Sequence, residues 1–302
     1  MNTLLVITGP TAVGKTDLCL DIAESYGIPI INADSRQIYR GMQIGTAAPT
    51  AEQQKRVKHH FVATLDIDAY YNASMYEQEV MQLLGEMFQG RDDGLALLTG
   101  GSMMYIDAVC NGIDDIPTIH DDVRELYKRR LADEGLQPLL DELREKDPEY
   151  FDIVDHNNAR RVVHGLEICH QTGLTYTSFR IREKKERPFR IVKIALNRNR
   201  EILYDRINKR VDSMLEEGLE KEARQLYPLR HLNSLNTVGY KEMFNYIDGV
   251  WSLDEAVERI KGNTRRYARK QLTWYKKDDD IVWFDAAETE KIIKFLVDKL
   301  TH

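Results

Sequence analysis

Leu4, Leu5, Val6 and Ile7 form an unbroken apolar run, the pattern of a short strand buried on both faces. A glycine-bearing stretch, residues 9–16, follows it. Residues 17–26 place Leu18, Leu20, Ile22 and Ala23 at helical spacing, and Gly27 supplies a stop. Residues 28–33 are a second apolar run, ending in Asp34. Strand, helix, strand of these lengths predicts a βαβ unit. Residues 76–88 read as another helix, and residues 95–98 as a third buried strand ending in Thr99-Gly100-Gly101. This order predicts a parallel sheet, which binds ligands beyond the carboxyl ends of its strands.

The pattern changes near Gly112. From Asp114 onward the chain is rich in charge and helix formers and shows no strand, which predicts a helical insertion over residues 114–180. Residues 180–190 read as a basic, exposed connector, and residues 191–196 as a strand returning to the sheet. Residues 201–227 and 253–277 carry long helical patterns. Residues 281–284 predict a last strand and 288–300 a closing helix.

Composition narrows the class. The chain has 302 residues, 42% hydrophobic and 30% charged, which excludes a disordered or fibrous protein. Cys19, Cys110 and Cys169 are far apart, without a CxxC pair. That argues against a disulfide framework or structural zinc site and fits a reducing, cytoplasmic setting. The first apolar run is too short for a signal peptide, and no run approaches the roughly 20 residues of a membrane span. No membrane association is expected. The net charge of −7 alone argues against a nucleic-acid partner, although binding depends on where charge sits.

Gly9, Pro10, Thr11, Ala12, Val13, Gly14, Lys15 and Thr16 match G-x-x-x-x-G-K-[ST], with a strand before and a helix after. Glycines let several N–H groups converge on one anion, and the helix N-terminus adds partial positive charge. Lys15 supplies a full charge and Thr16 a hydroxyl for Mg²⁺. The predicted fold is therefore α/β: a P-loop NTPase-like parallel sheet flanked by helices over residues 1–113 and 181–302, with the helical insertion between. Most P-loop phosphotransferases carry an Asp after a later apolar strand. Here Thr99-Gly100-Gly101 stands in that place, and the strand-terminal acid near the loop is Asp34. Asp34 with Gln37 three residues on fits a capping box, but its position also suits a general base. The two roles are compatible, since a carboxylate has two oxygens.

Three blocks, GPTAVGKT, NADSRQIYRGMQIGTAAP and LLTGGSMMY, stand in this order. Further on come Arg206 to Arg210, Thr237 to Glu242 and Arg265 to Trp274. The chain resembles the tRNA dimethylallyltransferase family over nearly its whole length. It has no C-terminal zinc-finger pattern, so the resemblance is to the bacterial type. What the resemblance implies is a P-loop that holds dimethylallyl diphosphate and Mg²⁺ rather than a hydrolysed nucleotide. The implied acceptor is N6 of the adenosine 3′ to the anticodon, in the anticodon stem-loop of tRNA. Asp34 would take the N6 proton; Lys15, the loop amides, Mg²⁺ on Thr16 and Arg210 would meet the leaving diphosphate. Without the resemblance, Arg210 reads as a surface ion pair with Glu216 or Glu217.

The resemblance assigns RNA contacts to Asp34, Ser35, Arg36 and Gln37, the last reading an adenine edge. Ser102 would touch RNA or Mg²⁺. Arg124, Arg160, Arg161 and His164 in the insertion, and Asn236, Gly239, Tyr240 and Lys241, complete the set; His164 departs from the Arg common in the family. Residues 259–277 hold eight Lys or Arg and no acid, and residues 180–193 hold seven basic residues, local positive surfaces on an acidic chain. Trp274 among them reads as a core side chain. No obligate protein partner is expected. The alternatives are a free adenine-nucleotide isopentenyltransferase, a P-loop small-molecule kinase and a non-enzymatic RNA-binding module. The basic 259–277 helix disfavours the first, the missing acid after residue 98 the second, and the P-loop with Asp34 the third.

Overall fold

The computed structural model describes residues 1–181 and 183–300. They divide into two compact units: Met1–Asn111 with the chain from Glu186 onward, and Gly112–Lys185. The first unit holds one sheet. Its strands β1 (Thr3–Thr8), β2 (Ile30–Asn32), β3 (His59–His60), β4 (Leu95–Thr99), β5 (Arg190–Asn197) and β6 (Ile281–Asp285) run parallel in the order β3-β2-β4-β1-β5-β6. Helices α1 (Lys15–Tyr26), α2 (Ala51–Arg56), α3 (Ala73–Phe88) and α4 (Met103–Asn111) belong to its N-terminal part.

Every residue of β1 is buried, because helices cover both faces of the sheet. Leu5 and Ile7 pack with Leu97 and Ile194 toward α1, whereas Leu4 and Val6 pack with Leu98 toward Tyr76 of α3 and Val109 of α4. The apolar run thus serves two cores at once, which is why its pattern does not alternate.

The second unit is helical: α5 (Asp121–Glu134), α6 (Leu136–Lys146), α7 (Pro148–Ile153), α8 (Ala159–Thr172) and α9 (Tyr176–Phe179). Its own core includes Tyr127, Leu139, Leu143, Tyr150, Val162 and Leu166. The buried Asp147 caps α7 through Tyr150 N–H and also accepts from Thr177 N–H and Oγ1.

After β5 come α10 (Arg200–Glu216), α11 (Leu219–Leu226), α12 (Tyr240–Ile247), α13 (Leu253–Tyr275) and α14 (Thr289–Leu300). The single helix expected over residues 201–227 is two, because Gly218 takes φ +105° and starts α11 afresh. α10 to α13 build a third core around Ile38, Met42, Val211, Leu219, Tyr240 and Ile260. Among the described residues, no helix is long and apolar enough to cross a membrane.

Candidate active site

The loop after β1 turns through Gly9, whose φ is +140°. A Cβ there would stand 2.5 Å from the Leu196 carbonyl oxygen, so the chain closes against β5 only with glycine. Gly14 takes φ +109° and gives α1 no side-chain cap, leaving the helix N-terminus to an anion. Lys15 Nζ donates to the Gly9 and Pro10 carbonyls at 2.8 and 2.9 Å. Burial pulls its pKa down to about 8; Arg210 adds to that, while Cys19 and Asp34 oppose it. Thr16 is exposed in the first turn of α1. Two cations brace the loop from outside: Arg198 donates to Val13 and Arg206 to Ala12, at 2.7 and 2.8 Å.

Asp34 leaves the end of β2. Its Oδ1 accepts the N–H groups of Arg36 and Gln37 at 2.9 and 3.3 Å. No helix follows, only turns, and the Gln37 side chain does not return to Asp34. The capping-box reading fails on both points. Burial raises the Asp34 pKa, and the two backbone bonds with the charges of Arg210 and Arg36 hold it down. Arg210 reaches in from α10, and its Nη1 donates to Thr11 Oγ1 at 3.2 Å. It is directed at the loop rather than paired at the surface. Burial lowers its pKa, opposed by Asp34 and Glu217. Asp34, Lys15, Arg210 and Thr11 are therefore gathered in one place, from three elements.

The loop after β4 closes the other side. A Cβ on Gly100 would lie 2.2 Å from the Ala33 carbonyl oxygen, and one on Gly101 2.7 Å from Asp34 Oδ2. Ser102 Oγ accepts from Ser35 N–H at 2.8 Å and lies 3.0 Å from Ser35 Oγ. Arg36 donates to the Asn233 carbonyl. Gln37 Nε2 donates to the carbonyls of Thr46 and Ala47 at 3.0 and 3.2 Å. A bidentate reading of adenine needs that donor, so Gln37 cannot make it in this arrangement.

Further corrections concern charge and burial. Tyr240 is 0% exposed, and its hydroxyl donates to Glu222 at 2.7 Å. It is a core side chain rather than an RNA contact. Gly239 is buried and starts α12, its N–H bonded to Glu242, while Asn236 is partly buried and Lys241 exposed. Of the basic residues expected at the surface over 180–193, Arg187 is buried against Glu77 at 2.6 Å and Lys193 against Asp278 at 2.7 Å. Arg182 lies outside the described residues. Trp274 is not in the core: it is 36% exposed, its indole N–H on Asp107 at 2.7 Å. Arg124 on α5 and Arg160, Arg161 and His164 on α8 belong to the second unit. Arg160 and Arg161 are exposed there, and the His164 ring meets Tyr176 edge-on at 5.4 Å.

Sequence reasoning missed the inner face of α13. Gln271 is 0% exposed; its Oε1 accepts Thr11 N–H and its Nε2 donates to the Gly101 carbonyl, both at 2.9 Å. Tyr267, one turn earlier, donates to the same carbonyl at 2.8 Å. The only available signal was their spacing, four residues apart in an otherwise basic helix.

An anion-binding loop at the end of a central parallel strand, faced by a carboxylate and two cations, defines a P-loop α/β group-transfer site. Residues 37–278 match the family model described as IPP transferase, so the chain belongs to that family. It is 58% identical to a protein named tRNA dimethylallyltransferase 1 from Phocaeicola vulgatus, over 98% of both chains. It is 60% identical to tRNA dimethylallyltransferase 2 from Porphyromonas gingivalis, over 94% of each. Among solved structures it resembles the tRNA isopentenylpyrophosphate transferase of Bacillus halodurans, with 36% identity, TM-score 0.71 and coverage of 99% and 97%. It also resembles a eukaryotic dimethylallyltransferase described as acting on tRNA, at 25% identity and TM-score 0.79, covering 95% of this chain and 74% of that one.

Proposed function

We propose that the protein transfers a dimethylallyl group from dimethylallyl diphosphate to N6 of the adenosine 3′ to the anticodon in tRNA. The observation that carries this is the meeting of Asp34 with Lys15 and Arg210 at a P-loop that has no acid after β4. The names of relatives sharing more than half of its residues point the same way.

N6 attacks the allylic carbon as the carbon–oxygen bond to diphosphate breaks. The N6 proton passes to the Asp34 carboxylate, whose burial makes it a stronger base than a solvated one. The electron pair of the broken bond stays on diphosphate. Lys15, Arg210 and the N-terminal amides of α1 are the groups of the loop that would meet that charge, and donors held in place beforehand stabilise such a leaving group. For Mg²⁺ the fitting group is the Thr16 hydroxyl, exposed beside the loop at the position from which P-loop enzymes hold the ion against phosphate oxygens. When bound, it would neutralise diphosphate charge. The setting is the cytoplasm, with no obligate protein partner.

The test incubates the protein with Mg²⁺, radiolabelled dimethylallyl diphosphate and either unmodified tRNA or AMP. Label in tRNA, lost with Asp34→Ala, is expected. Label in AMP alone would make the acceptor a free nucleotide, and ATP turnover without RNA would restore the kinase reading.

A further inference from the structure

Building on the transferase reading, we propose that Gln271 is a positioning residue that sets the register between the diphosphate loop and Asp34. Its side chain is fully buried and spans the two loops, taking Thr11 N–H on one end and giving to the Gly101 carbonyl on the other. The partners are of opposite polarity, so a neutral amide of this length satisfies both, and a shorter, charged or apolar side chain does not. Each end lies one step from a reacting group. Thr11 Oγ1 accepts from Arg210, the cation facing the diphosphate loop. Gly101 lies against Asp34 Oδ2, and the next residue, Ser102, accepts from Ser35 N–H. Tyr267 grips the same Gly101 carbonyl, so α13 holds this loop twice. Moving the bridge moves the leaving-group cation relative to the base. An error on the order of 1 Å in such geometry costs about 10²-fold in rate.

Two full-length variants test this. Gln271→Met keeps the volume and loses both bonds. Gln271→Glu keeps the acceptor for Thr11 but, when ionised, sets a carboxylate oxygen against the Gly101 carbonyl; protonation restores a donor there. The groups titrating nearby, Asp34, Lys15, Arg210, Tyr267 and Tyr275, are common to variant and wild type, so the ratio of their activities is the quantity to follow. We expect both variants to lose roughly 10-fold or more in kcat near neutral pH, with a smaller change in KM for dimethylallyl diphosphate. The Glu/wild-type ratio should climb as pH falls, while the Met/wild-type ratio stays flat. Without substrate, amide exchange at residues 9–16 and 100–102 should quicken in the Met variant at both loops. Wild-type kcat and unchanged exchange in that variant would overturn the proposal. So would a Glu defect flat with pH that merely follows a lower melting temperature. If the wild type labels no tRNA, the transferase reading fails alone, and exchange at the two loops still decides whether Gln271 bridges them.

Discussion

Burial drives Asp34 and Lys15 toward neutrality from opposite ends of the pH scale. The Asp34 pKa rises, and the Lys15 pKa falls to about 8. Protonated Asp34 cannot accept a proton, so rate falls as pH drops through its raised pKa. Neutral Lys15 offers no charge to diphosphate, so rate also falls as pH rises through about 8. A bell-shaped kcat/KM for the donor follows, with its acid limb above the ordinary carboxylate range. In kcat the alkaline limb should move upward, because bound diphosphate favours the charged ammonium; an unmoved limb would separate Lys15 from the anion. Asp34→Asn should lower kcat about 10²- to 10⁴-fold while donor binding persists, measured by single-turnover labelling and equilibrium binding. Gly101→Ala should also lower kcat with little change in melting temperature, since its methyl would lie 2.7 Å from Asp34 Oδ2 and push the carboxylate aside.

At the scale of elements, α11 supports the segment that carries Gln37. Its Glu222 accepts the N–H groups of Gln43, Ile44 and Gly45 at 2.8–3.0 Å and the Tyr240 hydroxyl. The turn so anchored presents the Thr46 and Ala47 carbonyls that fix Gln37. Glu222→Leu strands four donors and should cost roughly 3 kcal/mol in urea unfolding, with Glu222→Gln losing less. A variant of unchanged midpoint would show that water replaces the carboxylate. None of this could be read from the chain, because Glu222 looks like any acid in a charged helix until α12 folds over it. All the strands except the two-residue β3, His59–His60, which has no apolar run, were legible with the P-loop and α13, since a continuous apolar run, a fixed glycine–lysine spacing and a long periodic pattern each depend on neighbours in sequence. Gly218 was missed as a break because apolar periodicity continues on both sides of it. Gln271 was missed and Trp274 misjudged for a related reason: which face of α13 turns inward depends on loops far away in the chain.

For the whole molecule, the net charge of −7 coexists with an exposed cationic face on one helix. Not every basic residue contributes to it. Arg187 and Lys193 are buried in ion pairs, and Lys261 is paired with Asp212 and Glu258. Arg266 and Arg269 are exposed and, among the described residues, donate to the uncharged Asn263 and Tyr204, so their charges remain available, as do those of the exposed Lys270 and Lys276. If this face meets the RNA backbone, tRNA affinity should fall linearly in log–log terms with salt. Replacing Lys270 and Lys276 together by Ala should reduce that slope by about 2 and weaken binding at low salt, while kcat at saturating tRNA stays near wild type. Arg187→Ala serves as the contrast: it removes a single positive charge, but one buried against Glu77, so it should lower stability by about 3 kcal/mol or more without changing the salt slope. Equal slopes in the double-lysine variant and the wild type would mean that α13 carries its charge for another purpose, and that the phosphate contacts lie elsewhere on the molecule.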